Sequence, residues 1–170
     1  DLGSGEWVIK SGWKLTTADQ VWPAPSALFD PSCDTSAWYD AAVPGTVLAA
    51  LVGQGVYPDP YYGLNNLAIP DDLCRKEWVY RVVFNAPQTA QGRQTWLILN
   101  GVNYRASVYL NGTCLGELAG AFARGQFSVT PVLKPAGNVL AVRVLPPPNP
   151  GIPHEESMRS VGQGPNGGQL

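Results

Sequence analysis

Charge is scarce in this sequence. Asp, Glu, Lys and Arg together make up 14% of its 170 residues, against about 25% in an ordinary soluble domain. The eleven basic residues form no Lys/Arg block. Phosphate binding needs clustered cations, so this argues against a nucleic-acid partner and against an anionic membrane surface. No window approaches about 18 uninterrupted apolar residues, so no membrane-spanning helix is expected. The start, Asp1 to Gly5, has neither a basic nor an apolar region of signal-peptide type. Either such a peptide has been removed or the protein is cytoplasmic; a secreted or periplasmic setting with the peptide removed is the expectation. Cysteine is nearly absent too: Cys33, Cys74 and Cys114 are an odd set without CxxC or Cys/His spacing, which argues against zinc. One disulfide with a free thiol fits, and so do three reduced, packed cysteines. His154 is the one histidine and no G-x-S-x-G occurs, so no nucleophilic triad is expected; placed after Pro153, it reads as a surface or interdomain contact. No metal and no cofactor are expected.

What is present is a β-protein. An apolar fraction of 45% suffices for a core. So few charges suit a domain covered by neighbouring domains, and equally a Gly/Pro-rich β-protein. Trp78 to Phe84 sets Trp78, Tyr80, Val82 and Phe84 on one face at period two. Trp96 to Leu99 reads as a short strand buried on both faces. Arg105 to Leu110 runs into Asn111-Gly112, a hairpin turn. Phe127 to Thr130 and Val139 to Leu145 add two strands, and Trp7 to Lys10 with Trp13 to Leu15 make an opening pair. One short helix is expected, with Thr46 capping Val47 to Val52 and Gly53 or Gly55 ending it. Tyr57 to Asn66 is aromatic, amide-rich and aperiodic, hence an ordered surface loop. Residues 1–145 therefore read as one all-β domain, an antiparallel two-sheet β-sandwich of jelly-roll type. Residues 146–170, rich in Pro and Gly, read as a tail or interdomain segment of a longer chain.

Three stretches carry a resemblance. Trp38 to Val47 (WYDAAVPGTV) resembles the W-x-x-A-x-V-P-G-T-V signature of glycoside hydrolase family 2. Tyr57 to Asn65 (YPDPYYGLN) is similar to the P-D-P-[FY]-Y-G-x-N segment of its β-mannosidase and exo-β-glucosaminidase branch. Leu99 to Gly112 (LNGVNYRASVYLNG) is similar to the family's L-x-G-V-x-x-x-A-x-V-x-L-N-G pattern, followed by Gly125 to Thr130 (GQFSVT). The resemblance covers roughly residues 38–155 and implies a galactose-binding-domain-like jelly roll at the N-terminus of a retaining exo-glycosidase. In such enzymes an immunoglobulin-like domain and a catalytic TIM barrel follow, with two glutamates on the barrel; a β-glycoside is then the implied partner. Retention needs two carboxyl groups about 5 Å apart.

This chain does not offer such a pair. Glu155 and Glu156 are adjacent, and neighbours in an extended segment diverge. Glu77 and Glu117 read as strand-end charges, and Asp71-Asp72 as a turn after Pro70. No catalytic residue is therefore expected here. The loop from Tyr57 to Pro70 is the best binding candidate, because sugars are read by aromatic faces and planar amides. In the family's β-galactosidase branch an asparagine of the corresponding loop reaches the sugar; that pattern falls on Asn66, with Asn65 beside it. Asp59, Tyr62, Asn65 and Asn66 are the candidate substrate-binding residues. Alternatively, the asparagines satisfy loop backbone and Tyr61 and Tyr62 fill a domain–barrel interface. Asn111-Gly112-Thr113 matches a glycosylation acceptor, though the hairpin explains it without a glycan. Three functions stay open: a non-catalytic domain of a multidomain glycosidase, a freestanding carbohydrate-binding module, and a purely structural or oligomerisation domain.

Overall fold

The computed structural model describes residues 5–90 and 92–148. His154, Glu155, Glu156 and most of the Pro/Gly-rich segment lie outside the described residues. Eight strands run in chain order: β1 (Lys14–Thr17), β2 (Tyr39–Asp40), β3 (Trp78–Phe84), β4 (Trp96–Leu99), β5 (Arg105–Leu110), β6 (Thr113–Ala119), β7 (Gly125–Ser128) and β8 (Asn138–Leu145). They form an antiparallel six-stranded sheet, β2-β1-β3-β8-β5-β6, and a two-stranded sheet, β4-β7. Trp7 to Lys10 does not form the expected strand; β1 pairs instead with β2 and β3.

Alternation decides the main core. Val82 of β3, Leu140 and Val142 of β8, and Ala106, Val108 and Leu110 of β5 all point to one face and are buried. There they pack with Val129, Leu97, Leu99 and Phe127 from the side of the small sheet. Burying one such aliphatic side chain contributes about 1.5–3 kcal/mol. Trp96 and Ile98, at the alternate positions of β4, are each 45% exposed. The expectation that this strand is buried on both faces therefore fails: β4 belongs to a two-stranded layer with one open face.

The outer face of the large sheet is also covered. Residues 18–38 lie over it, and Ala18, Leu28, Val79 and Ala141 form a second buried group with Val21, Trp22, Phe29, Trp38 and Tyr109 around it. This segment holds two one-turn helices absent from the sequence reading, α1 (Ala18–Val21) and α2 (Pro25–Leu28). Arg81, alternating with Val82, is 3% exposed beneath them. Its Nε donates to Leu28 O at 2.9 Å and its Nη2 to Asp30 O at 2.6 Å. A buried cation must be hydrogen-bonded; here two carbonyls serve, and burial lowers the guanidinium pKa.

The expected helix is α3 (Val47–Gly53), with Thr46 Oγ1 accepting from Ala49 N at 3.0 Å. The turn before it requires glycine at 45, because a Cβ there would stand 2.5 Å from Ala42 O. Leu51 of α3 joins Leu15, Ile69, Leu73 and Trp78 in a third buried group. At the β5–β6 hairpin, Asn111 and Gly112 both take positive φ, 52° and 87°, as a two-residue type I′ turn demands. The cysteines are free: Cys74 buried, Cys33 half-buried and Cys114 exposed. Among the described residues no helix is long and apolar enough to cross a membrane.

Candidate functional site

The chain leaves α3 and makes a compact loop before β3, and the loop organises itself. Asp59 Oδ1 accepts from Tyr61 N at 2.9 Å, a turn that Asp makes with its own backbone two residues on. The Asp59 carbonyl accepts twice more, from Tyr62 N at 3.2 Å and from Asn65 Nδ2 at 3.0 Å. Asn65 begins a 3₁₀ turn, Asn65–Ala68. Ile69, 2% exposed, then pins the loop's far end among Leu51, Leu73 and Trp78. A second 3₁₀ turn, Asp71–Arg75, takes the place of the simple turn expected after Pro70.

Held this way, the loop presents side chains that the core does not use. Tyr61 is 97% exposed, Tyr62 77% and Leu64 77%. Large apolar groups displayed side by side on a rigid loop are uncommon on a monomer surface and mark a contact surface. Of the sequence candidates, Asp59, Tyr62 and Asn65 are brought together by the hydrogen bonds just described. Asn65 spends its amide on the Asp59 carbonyl, and the Asp59 carboxylate accepts from the Tyr61 amide; both shape the loop. Asn66 is exposed and its carbonyl accepts from Ile69 N at 3.3 Å. Its side-chain amide makes no hydrogen bond among the described residues.

Glu77 and Glu117 lie far apart. Arg143 donates to Glu77 Oε2 through both Nε, at 2.7 Å, and Nη2. Glu117 lies on β6 opposite Ser107, in the row that runs through Arg143 to Val79. Three strand spacings separate that position from β3, roughly 14 Å, well beyond the ~5 Å of a retaining pair.

The sequence reading missed a second feature, beside the start of β3. Arg143 stacks over the Trp22 ring, 4.3 Å from its centroid, and Tyr109 meets that ring edge-on at 5.2 Å. With Thr17, Asp19, Lys76 and Glu77, Arg143 and Trp22 line an open cleft of about 570 Å³. The available signal was Arg143 itself, a cation set within the apolar run of β8.

Fold and loop together define a class: a galactose-binding-like β-sandwich that displays an aromatic loop. Comparison with known proteins gives the family. The sequence profile of the glycosyl hydrolase 2 galactose-binding domain-like family matches residues 13–168, and the chain belongs to that family. It is 32% identical over 146 residues to an exo-beta-D-glucosaminidase of Streptomyces avermitilis, covering 84% of this chain and 16% of that protein. It is 36% identical over 159 residues to a mannosylglycoprotein endo-beta-mannosidase of Lilium longiflorum, covering 89% of this chain and 17% of that one. The crystal structure of the exo-chitosanase CsxA from Amycolatopsis orientalis superposes with a TM-score of 0.74 at 30% identity, over 83% of this chain and 17% of that one. The chain thus spans about a sixth of the length of these relatives, and it corresponds to the N-terminal domain of family 2 glycoside hydrolases.

Proposed function

We propose that this chain is the non-catalytic N-terminal domain of a multidomain retaining exo-β-glycosidase. On this reading it packs on a catalytic barrel, shares its chain with an immunoglobulin-like domain, and lends the loop 57–70 to the rim of the substrate pocket. On the same reading residues 1–145 are the sandwich domain and 146–170 a tail or interdomain segment. The observation that carries the proposal is the display of Tyr61, Tyr62 and Leu64 on a loop that holds its own shape. A rigid aromatic platform suits both a domain contact and the C–H face of a sugar, while Asn66 offers an uncommitted amide to a hydroxyl. The names of the relatives favour mannose or glucosamine as the sugar; the exo mode of attack is supported by the glucosaminidase and chitosanase names, whereas the lily relative is an endo-beta-mannosidase.

The test compares the parent enzyme with its Asn66→Ala and Tyr62→Ala variants on aryl β-mannosides and aryl β-glucosaminides. Loss of a sugar hydrogen bond should cost about 1 kcal/mol or more, roughly a fivefold to tenfold fall in kcat/KM for Asn66→Ala. Unchanged constants in both variants would leave the loop a structural role alone. The isolated chain should not hydrolyse any of these glycosides. Millimolar or tighter binding of neutral simple sugars by the isolated chain would favour a carbohydrate-binding module instead.

A further inference from the structure

The opposite end of the sandwich holds a feature that the proposal above does not use. Loop 57–70 leads into the start of β3; the end of β3, seven residues on and roughly 20 Å away, opens into a different surface. There Gln88, Arg93, Gln94, Thr95, Thr130 and Lys134 line a cleft of about 650 Å³. Among the described residues its lining contains two cations, two amides and two hydroxyls beside Ala86, Pro87, Leu133 and Pro135, and no carboxylate.

The charge is not an accident of one side chain. Between Glu77 and Glu155 the sequence has a single acidic residue, Glu117, against six basic ones. Up to and including Glu77 the balance is reversed, with ten acidic residues and four basic. The basic segment supplies both walls of the cleft. Among the described residues neither Arg93 nor Lys134 enters an ion pair. Pro31 lies against the neighbouring turn at Gly137, and the carboxylates of its segment bond locally, Asp30 to the amide and hydroxyl of Ser32 and Asp34 to the amide of Ser36.

The walls are also fixed. Buried Asn138 clamps Lys134 from both sides, its Oδ1 accepting from Lys134 N at 2.8 Å and its Nδ2 donating to Lys134 O at 2.7 Å. Thr130 Oγ1 accepts from Thr95 N at 2.8 Å, and Ala86 N donates to Pro135 O at 3.1 Å, so the two sides are tied together. Pre-set walls lower the ordering cost of binding.

We propose that this cleft is a second, non-catalytic binding site for a carboxylate-bearing oligosaccharide, a uronate-containing glycan. Arg93 and Lys134 would take the carboxylate in charge-assisted hydrogen bonds. Gln88, Gln94, Thr95 and Thr130 supply the paired donors and acceptors that sugar hydroxyls require. A protonated glucosamine oligomer is repelled by the same cations.

The test is calorimetric titration of the full 170-residue chain with trigalacturonate, cellotriose, chitosan trimer and inorganic phosphate. Trigalacturonate should saturate one site with a Kd below about 1 mM, and cellotriose and chitosan trimer should bind at least about tenfold more weakly. The exposed double variant Arg93→Gln/Lys134→Gln should lose about tenfold or more with an unchanged melting temperature. Raising the salt from about 0.02 M to 0.5 M should weaken trigalacturonate binding to the unsubstituted chain; this readout needs no variant to fold. Tyr62→Ala and Asn66→Ala should leave it unchanged, which keeps this site separate from the loop. Equal binding of cellotriose, no saturation by about 10 mM, salt-insensitive binding, or full retention in a folded double variant would each overturn the proposal. Phosphate binding as tight as trigalacturonate would overturn the assignment to a sugar.

Discussion

Asn111 and Asn138 grip each other across the end of the large sheet, Asn111 Nδ2 donating to Asn138 Oδ1 at 3.0 Å. Asn111 also donates to Val132 O at 2.8 Å and accepts from Val139 N at 2.9 Å. Asn138, wholly buried, adds a long bond to Phe84 O at 3.4 Å to its two bonds with Lys134. The hairpin turn, the 130–138 loop and β3 are thereby fastened at one point. Both hydrogens of the Asn111 amide are spent inside the fold, so a glycan added after folding would have to break this fastening.

Asn138→Leu should accordingly cost about 3 kcal/mol or more, because it strands several buried partners at about 1–3 kcal/mol each. Urea unfolding measures it. The Asn111→Ala, Asn138→Ala and double variants should be non-additive, with a coupling of about 0.5–3 kcal/mol. Simple additivity would mean that the two amides act independently.

Arg143→Lys should lose more than its conserved charge suggests. Lysine cannot converge two guanidinium N–H groups on Glu77 Oε2, nor lie flat on Trp22. A loss of about 1 kcal/mol is expected, with altered Trp22 fluorescence. Arg143→Met should cost more, since Glu77 then stands half-buried without its partner.

The Tyr80 hydroxyl is desolvated, and burial pushes its pKa from 10.0 up to about 12. A group whose folded pKa is raised contributes stability that is complete below its unfolded value and is lost as pH rises through the folded one. Between pH 10 and pH 12 the chain should therefore lose stability that Tyr80→Phe retains. Urea midpoints of the two proteins across that window provide the check; midpoints that fall in parallel would count against it.

Asn65 and Asn66 should part company in stability measurements. Asn65→Ala removes the bond to the Asp59 carbonyl and should cost about 0.5–1 kcal/mol. Asn66→Ala should stay within about 0.5 kcal/mol of the parent, as for an exposed side chain without partners. Thermal melts of the two variants separate loop shaping from ligand contact before any kinetics are measured.

Much of this architecture is legible in the sequence. Strand β3 announces itself by a period-two apolar run, β8 by a nearly continuous one, β5 and its hairpin by Asn111-Gly112, and α3 by Thr46. The misreadings share a physical origin in partners distant along the chain. Nothing local marks Arg81 for burial, because the carbonyls that receive it, of Leu28 and Asp30, lie 53 and 51 residues earlier. One-turn helices such as α1 and α2 are too short to show a period, so the cover they give the outer face was invisible. Trp96 and Ile98 were read as buried because an apolar run does not reveal how many layers enclose it. The loop 57–70 was legible as a loop from its composition. Which of its asparagines is committed depends on the fold of the loop itself, so Asn65 and Asn66 could not be told apart in advance.

The last described strand, β8, lies between β3 and β5 in the large sheet. During synthesis the sheet therefore stays in two halves until residue 145 has cleared the ribosome. Until then Val79, Val82, Ala106 and Val108 have no neighbour along one edge. A chain shortened to end before Asn138 would lack the strand that joins the halves and would expose two ready-made edges to other chains. Co-translational folding of the large sheet should thus be late and abrupt, completed by β8.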